Sequence, residues 1–96
     1  MDIEINGKRV TFRDKIEARS GWNTIVRRAE KLSAGLDKLE FDDLAAVGVA
    51  AVESWEFEGD PGQVESYAHL DLVAEFVPLA RELGDWLAAR FNPPKN

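Results

Sequence analysis

The dipeptide Asn6-Gly7 constrains the fold of this chain more than any other short feature of its sequence. It separates two runs in which apolar and polar residues alternate. Both central residues of a type I′ turn need a positive φ, which asparagine and glycine adopt readily. The sequence therefore predicts a β-hairpin over residues 2–13.

A two-residue turn also fixes the register of the hairpin. It places Ile5 opposite Lys8 and Glu4 opposite Arg9, and the period of two gives the hairpin one charged face and one apolar face. The apolar face consists of Ile3, Ile5, Val10 and Phe12. Because a lone hairpin is marginal in water, we expect this face to pack on helices, with the outer strand edges open to another chain.

Helical periodicity dominates the rest of the sequence. Apolar residues recur at three- and four-residue spacing in three segments, which predict helices over about 21–34, 42–55 and 71–91. Between the last two segments, clustered turn formers predict a loop over 56–62, and a short helix follows over 64–68.

The ends of these helices also carry signals. Ser20 and Asp42 are predicted N-caps, Gly35 ends the first helix, and Pro78 fits the first turn of the last one. Prolines at 93 and 94 end that helix and predict a flexible tail over 92–96. We therefore expect a single α+β domain over residues 1–96, mostly helical, with an N-terminal two-stranded β-hairpin followed by three to four α-helices.

The net charge of −6 is unevenly distributed. No lysine or arginine lies between Lys38 and Arg81, where acidic residues accumulate. Such a surface repels phosphate, so we expect no nucleic-acid partner; it favours a basic protein partner or simply keeps the protein in solution. The chain has no cysteine, so neither a disulfide nor a thiolate metal site is possible. It also has no apolar run of membrane-spanning length and no secretory pattern at its N-terminus, so we expect no membrane association.

Candidate chemical groups match no established constellation. The carboxylates of Glu56, Glu58 and Asp60 alternate, but an EF-hand template beginning at Glu56 places Pro61 where the loop glycine belongs. His69 is the only histidine, has no nucleophile near it in the sequence and is predicted to lie on the surface. We expect neither a metal site nor a cofactor. We also expect the chain to be a binding protein rather than an enzyme.

Aromatic residues are the remaining candidates for a function. The three tryptophans lie on or at the end of apolar helix stripes, which favours a role in the core, although tryptophan is also enriched at binding hot spots. The candidate partner-binding residues are Trp22, Trp55, Phe57 and Trp86.

The order of these features resembles the small tail assembly chaperones of long-tailed bacteriophages. The resemblance is carried by "IEINGKRVTFRDK" at the start, "ESWEFEGDP" at 53–61, "YAHLDL" at 67–72 and "NPPKN" at the end. It implies a non-enzymatic protein of the host cytoplasm that binds the tape measure protein and the tail tube protein and promotes tube polymerisation. Such chaperones often have a second, longer form made by frameshifting; Pro94-Lys95-Asn96 is compatible with a slippery A-AAA-AAC heptamer and equally with an ordinary solvated tail, so whether a longer form exists stays open.

Two further questions stay open at the level of sequence. One is whether the chain forms a homo-oligomer. The other is whether it is instead a small acidic phage-encoded inhibitor that mimics nucleic acid or binds a host defence protein.

Overall fold

The computed structural model describes residues 1–91 and confirms an α+β, mostly helical fold. Strands β1 (Asp2–Ile5) and β2 (Lys8–Phe12) form the hairpin. Helices α1 (Ala18–Thr24) and α2 (Ala29–Ala34) follow, then α3 (Phe41–Ala51), strand β3 (Val52–Trp55), α4 (Val64–Ala68) and α5 (Val77–Phe91). The predicted tail over 92–96, with its Pro94-Lys95-Asn96 motif, lies outside the described residues.

The hairpin has the predicted register. Ile3 pairs with Val10 and Glu4 with Arg9, and Asn6 and Gly7 both have positive φ, of 53° and 74°. Three of the four apolar-face residues are buried, and Ile3 packs against them as a half-buried neighbour.

The sheet has three strands rather than two, which corrects the predicted helix over 42–55. Helix α3 ends at Ala51, and residues Val52–Trp55 pair with β2 in the order β1-β2-β3. A two-stranded hairpin leaves the outer hydrogen-bonding groups of β2 unpaired, and the β-branched and aromatic residues of this segment suit a strand. Strand β2 is therefore central, and Thr11 faces Ser54 rather than an open edge.

The predicted first helix, 21–34, is interrupted. It begins at Ala18 instead of after a Ser20 cap, breaks at Ile25, passes through a 3-10 turn at Val26–Arg28 and resumes as α2. Three consecutive β-branched residues at 24–26 disfavour helix. The guanidinium of Arg28 donates to the carbonyl of Thr24 at 3.0 Å and so satisfies an acceptor near the break.

Several helix ends follow the sequence signals. Gly35 ends α2 with a φ of 114°, and Pro78 is the second residue of α5, as predicted. A π-helical turn at Leu72–Phe76 precedes α5. The predicted Asp42 cap is wrong, because α3 begins at Phe41 and Glu40 is its N-cap.

The core lies between the inner face of the sheet and helices α3, α4 and α5. Its fully buried side chains include Tyr67, Phe12, Leu79, Val10, Val47 and Val52. Helix α3 and Tyr67 of α4 approach closely here: a Cβ at Gly48 would lie 2.5 Å from Cε2 of Tyr67. Glycine therefore lets the Tyr67 ring pack directly on the α3 backbone.

Candidate functional site: an apolar groove

An open groove of about 540 Å³ runs between the α1–α2 segment, α3 and α5. Among the residues that the structure describes, Ser33 is the only one in the lining with a polar side chain. The lining residues are Ile25, Val26, Ala29, Leu32, Ser33, Gly35, Leu39, Leu44, Val47, Ala80, Leu83, Gly84, Leu87 and Ala88. In water such a surface is favourably covered by an apolar partner.

The α5 wall of the groove combines a row of small residues with Leu83 and Leu87. Ala80, Gly84 and Ala88 are spaced by four, so they lie on one face of the helix. A Cβ at Gly84 would meet no atom within 4 Å. The wall therefore leaves room at Gly84 for a side chain from outside.

The wall opposite α5 is formed by the α1–α2 segment. A buried carboxylate on α3, that of Asp43, holds this segment in place. Asp43 accepts from Nε of Arg28 at 2.8 Å and from Nζ of Lys31 at 3.3 Å. It also accepts from the backbone N–H of Glu40 at 3.0 Å. This backbone hydrogen bond, together with the two cations and against the effect of burial, holds the pKa of Asp43 below its usual value.

The basic cluster at 27–31 is thus explained mainly by the fold. The sequence predicts that Arg27, Arg28 and Lys31 serve internal salt bridges, and this is confirmed for Arg28 and Lys31. Arg27 is exposed. Arg28 and Lys31 of this cluster therefore hold the groove wall on α3.

Only one of the four aromatic candidates lies on the surface. Trp22 is 63% exposed, and Val26, four residues later, is 37% exposed and lines the groove. The sequence placed Trp22 on the core stripe, but the buried positions of α1 are Gly21 and the following Ile25. Trp22 therefore remains available for a partner.

The other three candidates belong to the protein interior. Trp86 is 5% exposed, with its ring centroid 5.5 Å from that of Phe12, and Phe57 is 6% exposed. Trp55 is half-buried and its ring lies 4.7 Å from that of Tyr67. The structure does not bring the four together into one site, and the core role predicted for tryptophan is confirmed for Trp86.

The loop after β3 is held in place by these aromatic residues. The indole Nε1 of Trp55 donates to the carbonyl of Gly59 at 2.8 Å, and Gly59 has a φ of 87°. The hydroxyl of Tyr67 donates to the carbonyl of Pro61 at 2.8 Å, and burial raises the pKa of this phenol. The motif at 53–61 is therefore held by a hydrogen bond within it, from Trp55, and by one from Tyr67 of α4.

A second buried carboxylate connects the hairpin turn to the π-helical turn. Glu75 accepts from the backbone N–H of Asp71 at 3.0 Å, from Asn6 at 3.2 Å and from Lys8 at 3.4 Å. The backbone hydrogen bond from Asp71 is the largest of the effects that hold the pKa of Glu75 below its usual value. Like Asp43, this carboxylate is satisfied by the fold.

His69 lies on the surface, as predicted, with Nε2 3.5 Å from the carboxylate of Glu65. Within residues 1–91, no three histidine, aspartate or glutamate side chains are grouped so that they would hold a metal ion. In the same part of the chain, no helix has the length and apolarity needed to cross a membrane.

Sequence reasoning missed the groove itself. Its lining comes from the turn after α1, from α2, α3 and α5, and from the connection between α2 and α3, so no local motif marks it. The four-residue spacing of Ala80, Gly84 and Ala88 is the one signal that would have pointed to it.

The chain matches no family model, no curated protein and no solved structure. The groove geometry and the resemblance stated above are therefore what a functional proposal rests on.

Proposed function

We propose that this protein is a non-enzymatic tail assembly chaperone of a long-tailed bacteriophage. In this proposal it acts in the host cytoplasm, holds an apolar segment of the tape measure protein in its groove and promotes polymerisation of tail tube protein. The observation that carries the proposal is the apolar groove between the α1–α2 segment, α3 and α5.

The shape and chemistry of the groove favour an amphipathic helix as its occupant. Small-molecule sites combine an apolar lining with several placed polar groups that fix orientation. Here Ser33 is the only described lining residue with a polar side chain. A helix instead needs a continuous apolar trough into which residues at i, i+3, i+4 and i+7 insert, and the small residues along α5 leave space for them.

A groove-filling variant tests this proposal. Gly84→Leu places a large side chain where a Cβ meets no neighbour, so we expect it to fold and to occlude the groove. Ala89→Leu adds the same side chain to the same helix at an exposed position outside the lining, and is the matched control.

In this proposal the partner is a phage tape measure protein, and binding to it is measured by co-expression and by titration calorimetry. We expect Gly84→Leu to weaken binding about tenfold or more and Ala89→Leu to leave it unchanged. Trp22→Ala should also weaken binding while barely changing stability, because Trp22 is exposed. Equal binding by folded Gly84→Leu and wild-type protein would remove the groove from the proposal.

A separate experiment on the coding DNA tests whether the protein belongs to the tail assembly chaperones. A reporter spanning the codons for Pro94-Lys95-Asn96 measures whether ribosomes shift frame there. Slippage into a frame upstream of a long tape measure gene supports the chaperone proposal, whereas non-slippery codons without such a neighbour contradict it.

The second candidate is a small acidic inhibitor that mimics nucleic acid. It is favoured by the exposure of every acidic residue from Glu53 to Glu65, in a stretch without lysine or arginine. Salt separates the two proposals: an acidic mimic loses its partner steeply as ionic strength rises, whereas an apolar groove contact persists.

A further inference from the structure

We infer that the open edge of β1 docks an extended segment of a partner protein in which basic and apolar side chains alternate. This contact is separate from the groove. It follows from the backbone geometry of the hairpin and from the charges on β1.

The hydrogen-bonding groups of alternate β1 residues face away from β2. Phe12 N donates to the carbonyl of Met1 at 2.8 Å, and the Met1 amino group donates to the carbonyl of Phe12 at 3.2 Å. Antiparallel pairs alternate between bonded and non-bonded, so Met1, Ile3 and Ile5 bond to β2, whereas the N–H and C=O groups of Asp2 and Glu4 point outward.

These outward groups form one edge of the sheet. The strand order β1-β2-β3 covers the far side of β2 and leaves β1 on the outside. Within residues 1–91, no backbone hydrogen bond from a turn, loop or cap reaches Asp2 or Glu4. The edge therefore offers two donors and two acceptors to an added strand.

The side chains of β1 define the chemistry of that strand. Asp2 and Glu4 are exposed on the outer face, whereas Ile3 is half-buried on the inner face, beside the core. In a strand laid along β1, alternate residues lie beside the two carboxylates, and the residue between them lies beside Ile3. Lysine or arginine alternating with an apolar residue complements both faces.

The same charges disfavour a second copy of this chain as the occupant. Pairing β1 with β1 brings the carboxylates of Asp2 and Glu4 of one chain beside those of the other. Like charges on facing strands are destabilising. The geometry thus favours a basic partner from a different protein.

A synthetic peptide tests the inference. The probe is a terminally blocked seven-residue peptide of alternating lysine and valine, compared with a shuffled peptide of the same composition that lacks the alternation. Binding is measured by fluorescence anisotropy and mapped by the amide signals of Asp2 and Glu4 in NMR spectra. We expect the alternating peptide to slow hydrogen exchange at these two amides and to bind about fivefold or more tightly than the shuffled one.

Two variants at one position separate backbone pairing from charge. Glu4→Pro removes an outward N–H together with the carboxylate but no bond to β2, and proline is tolerated on edge strands, so we expect it to fold and to bind more weakly than Glu4→Lys, which reverses the charge and keeps the N–H. Glu4→Lys keeps the backbone and should weaken binding about fivefold. Glu17→Lys, the same charge change at an exposed position outside the sheet, is the control.

Three results would overturn the inference. One is equal binding of the alternating and shuffled peptides, which indicates attraction by net charge alone. Another is full binding by folded Glu4→Pro protein. The third is a concentration-dependent dimer, seen by sedimentation without peptide, that protects the Asp2 and Glu4 amides itself.

Discussion

Replacing Asp43 by asparagine removes the charge that fastens the groove wall to α3 while keeping the shape of the side chain. The wild-type carboxylate accepts from Arg28, Lys31 and the Glu40 backbone within 3.3 Å. Asparagine retains one acceptor oxygen, so part of the contact to Arg28 or to Glu40 survives. The variant therefore isolates the effect of the charge.

The magnitude follows from how exposed each partner is. A hydrogen bond to a charged group contributes about 1.5–3 kcal/mol when buried. Lys31 is half exposed, so its contribution is screened to a few tenths of a kcal/mol. The Arg28 pair and the backbone hydrogen bond dominate, and partial retention by asparagine leaves an expected loss of about 2 kcal/mol in the free energy of unfolding.

The loss should depend on pH in a defined direction. The pKa of Asp43 in the folded protein is below its ordinary value of 3.8. A carboxylate with a lowered folded pKa stabilises the protein above its unfolded pKa, and this contribution is lost as pH falls through the folded value. The deficit of Asp43→Asn should therefore be constant above about pH 5 and shrink below pH 4.

Urea denaturation at pH 7 and at pH 3 measures both expectations. Asp42→Asn is the matched control, since Asp42 is exposed in the same helical turn and its loss should cost about 0.5 kcal/mol or less. A deficit for Asp43→Asn no larger than that of the control at pH 7, or one that persists undiminished at pH 3, would refute the assignment of Asp43 as the fastening charge.

Two further substitutions test the packing around α3 and the hairpin. Gly48→Ala should destabilise the protein by about 1 kcal/mol in urea denaturation, because the new methyl group would lie 2.5 Å from the Tyr67 ring and this overpacking outweighs the gain in helix propensity; a stabilised variant would contradict that packing. Glu75→Gln should cost about 1 kcal/mol at pH 7, since Lys8 is partly exposed and screened. The pKa of Glu75 is also lowered, chiefly by the backbone hydrogen bond from Asp71, so this deficit should shrink below pH 4.5 in the same assay, and an unchanged deficit at pH 3 would argue against a stabilising role for the Glu75 charge.

The hairpin could be predicted in detail because its signals are local. Asn6-Gly7 determines the turn, the turn determines the register, and the alternation determines which face is buried. The short helix over 64–68 and the ends at Gly35 and Pro78 are local in the same sense. Each depends on a few adjacent residues whose backbone preferences agree with the fold.

The third strand could not be predicted in this way. Val52–Trp55 continues the apolar stripe of α3 in sequence, so periodicity alone extends the helix. What ends the helix is the unpaired side of β2, about forty residues earlier in the chain, which accepts a strand there. This correction also moves the edges of the sheet, because β1 and β3, rather than β2, are its outer strands.

The break in the first helix explains, for a similar reason, why Trp22 is exposed and not buried as predicted. A continuous helix through Ile25 would put Trp22 on the buried stripe, but the 3-10 turn changes the phase between α1 and α2. The contacts that hold the break come from Arg28 and from Asp43 on another helix. The exposed tryptophan beside the groove is thus a consequence of tertiary contacts that no local pattern contains.

The loop motif at 53–61, which carries part of the resemblance, stabilises the fold and does not by itself identify a binding surface. Trp55 and Gly59 of "ESWEFEGDP" are joined by a hydrogen bond that closes the loop, and Phe57 is buried in the core. Substitutions in this motif would lower stability and partner binding together, so they would not identify the binding surface. Gly84→Leu and Glu4→Pro leave the motif intact and change one surface each, so loss of binding in a folded variant assigns the contact to the groove or to the β1 edge.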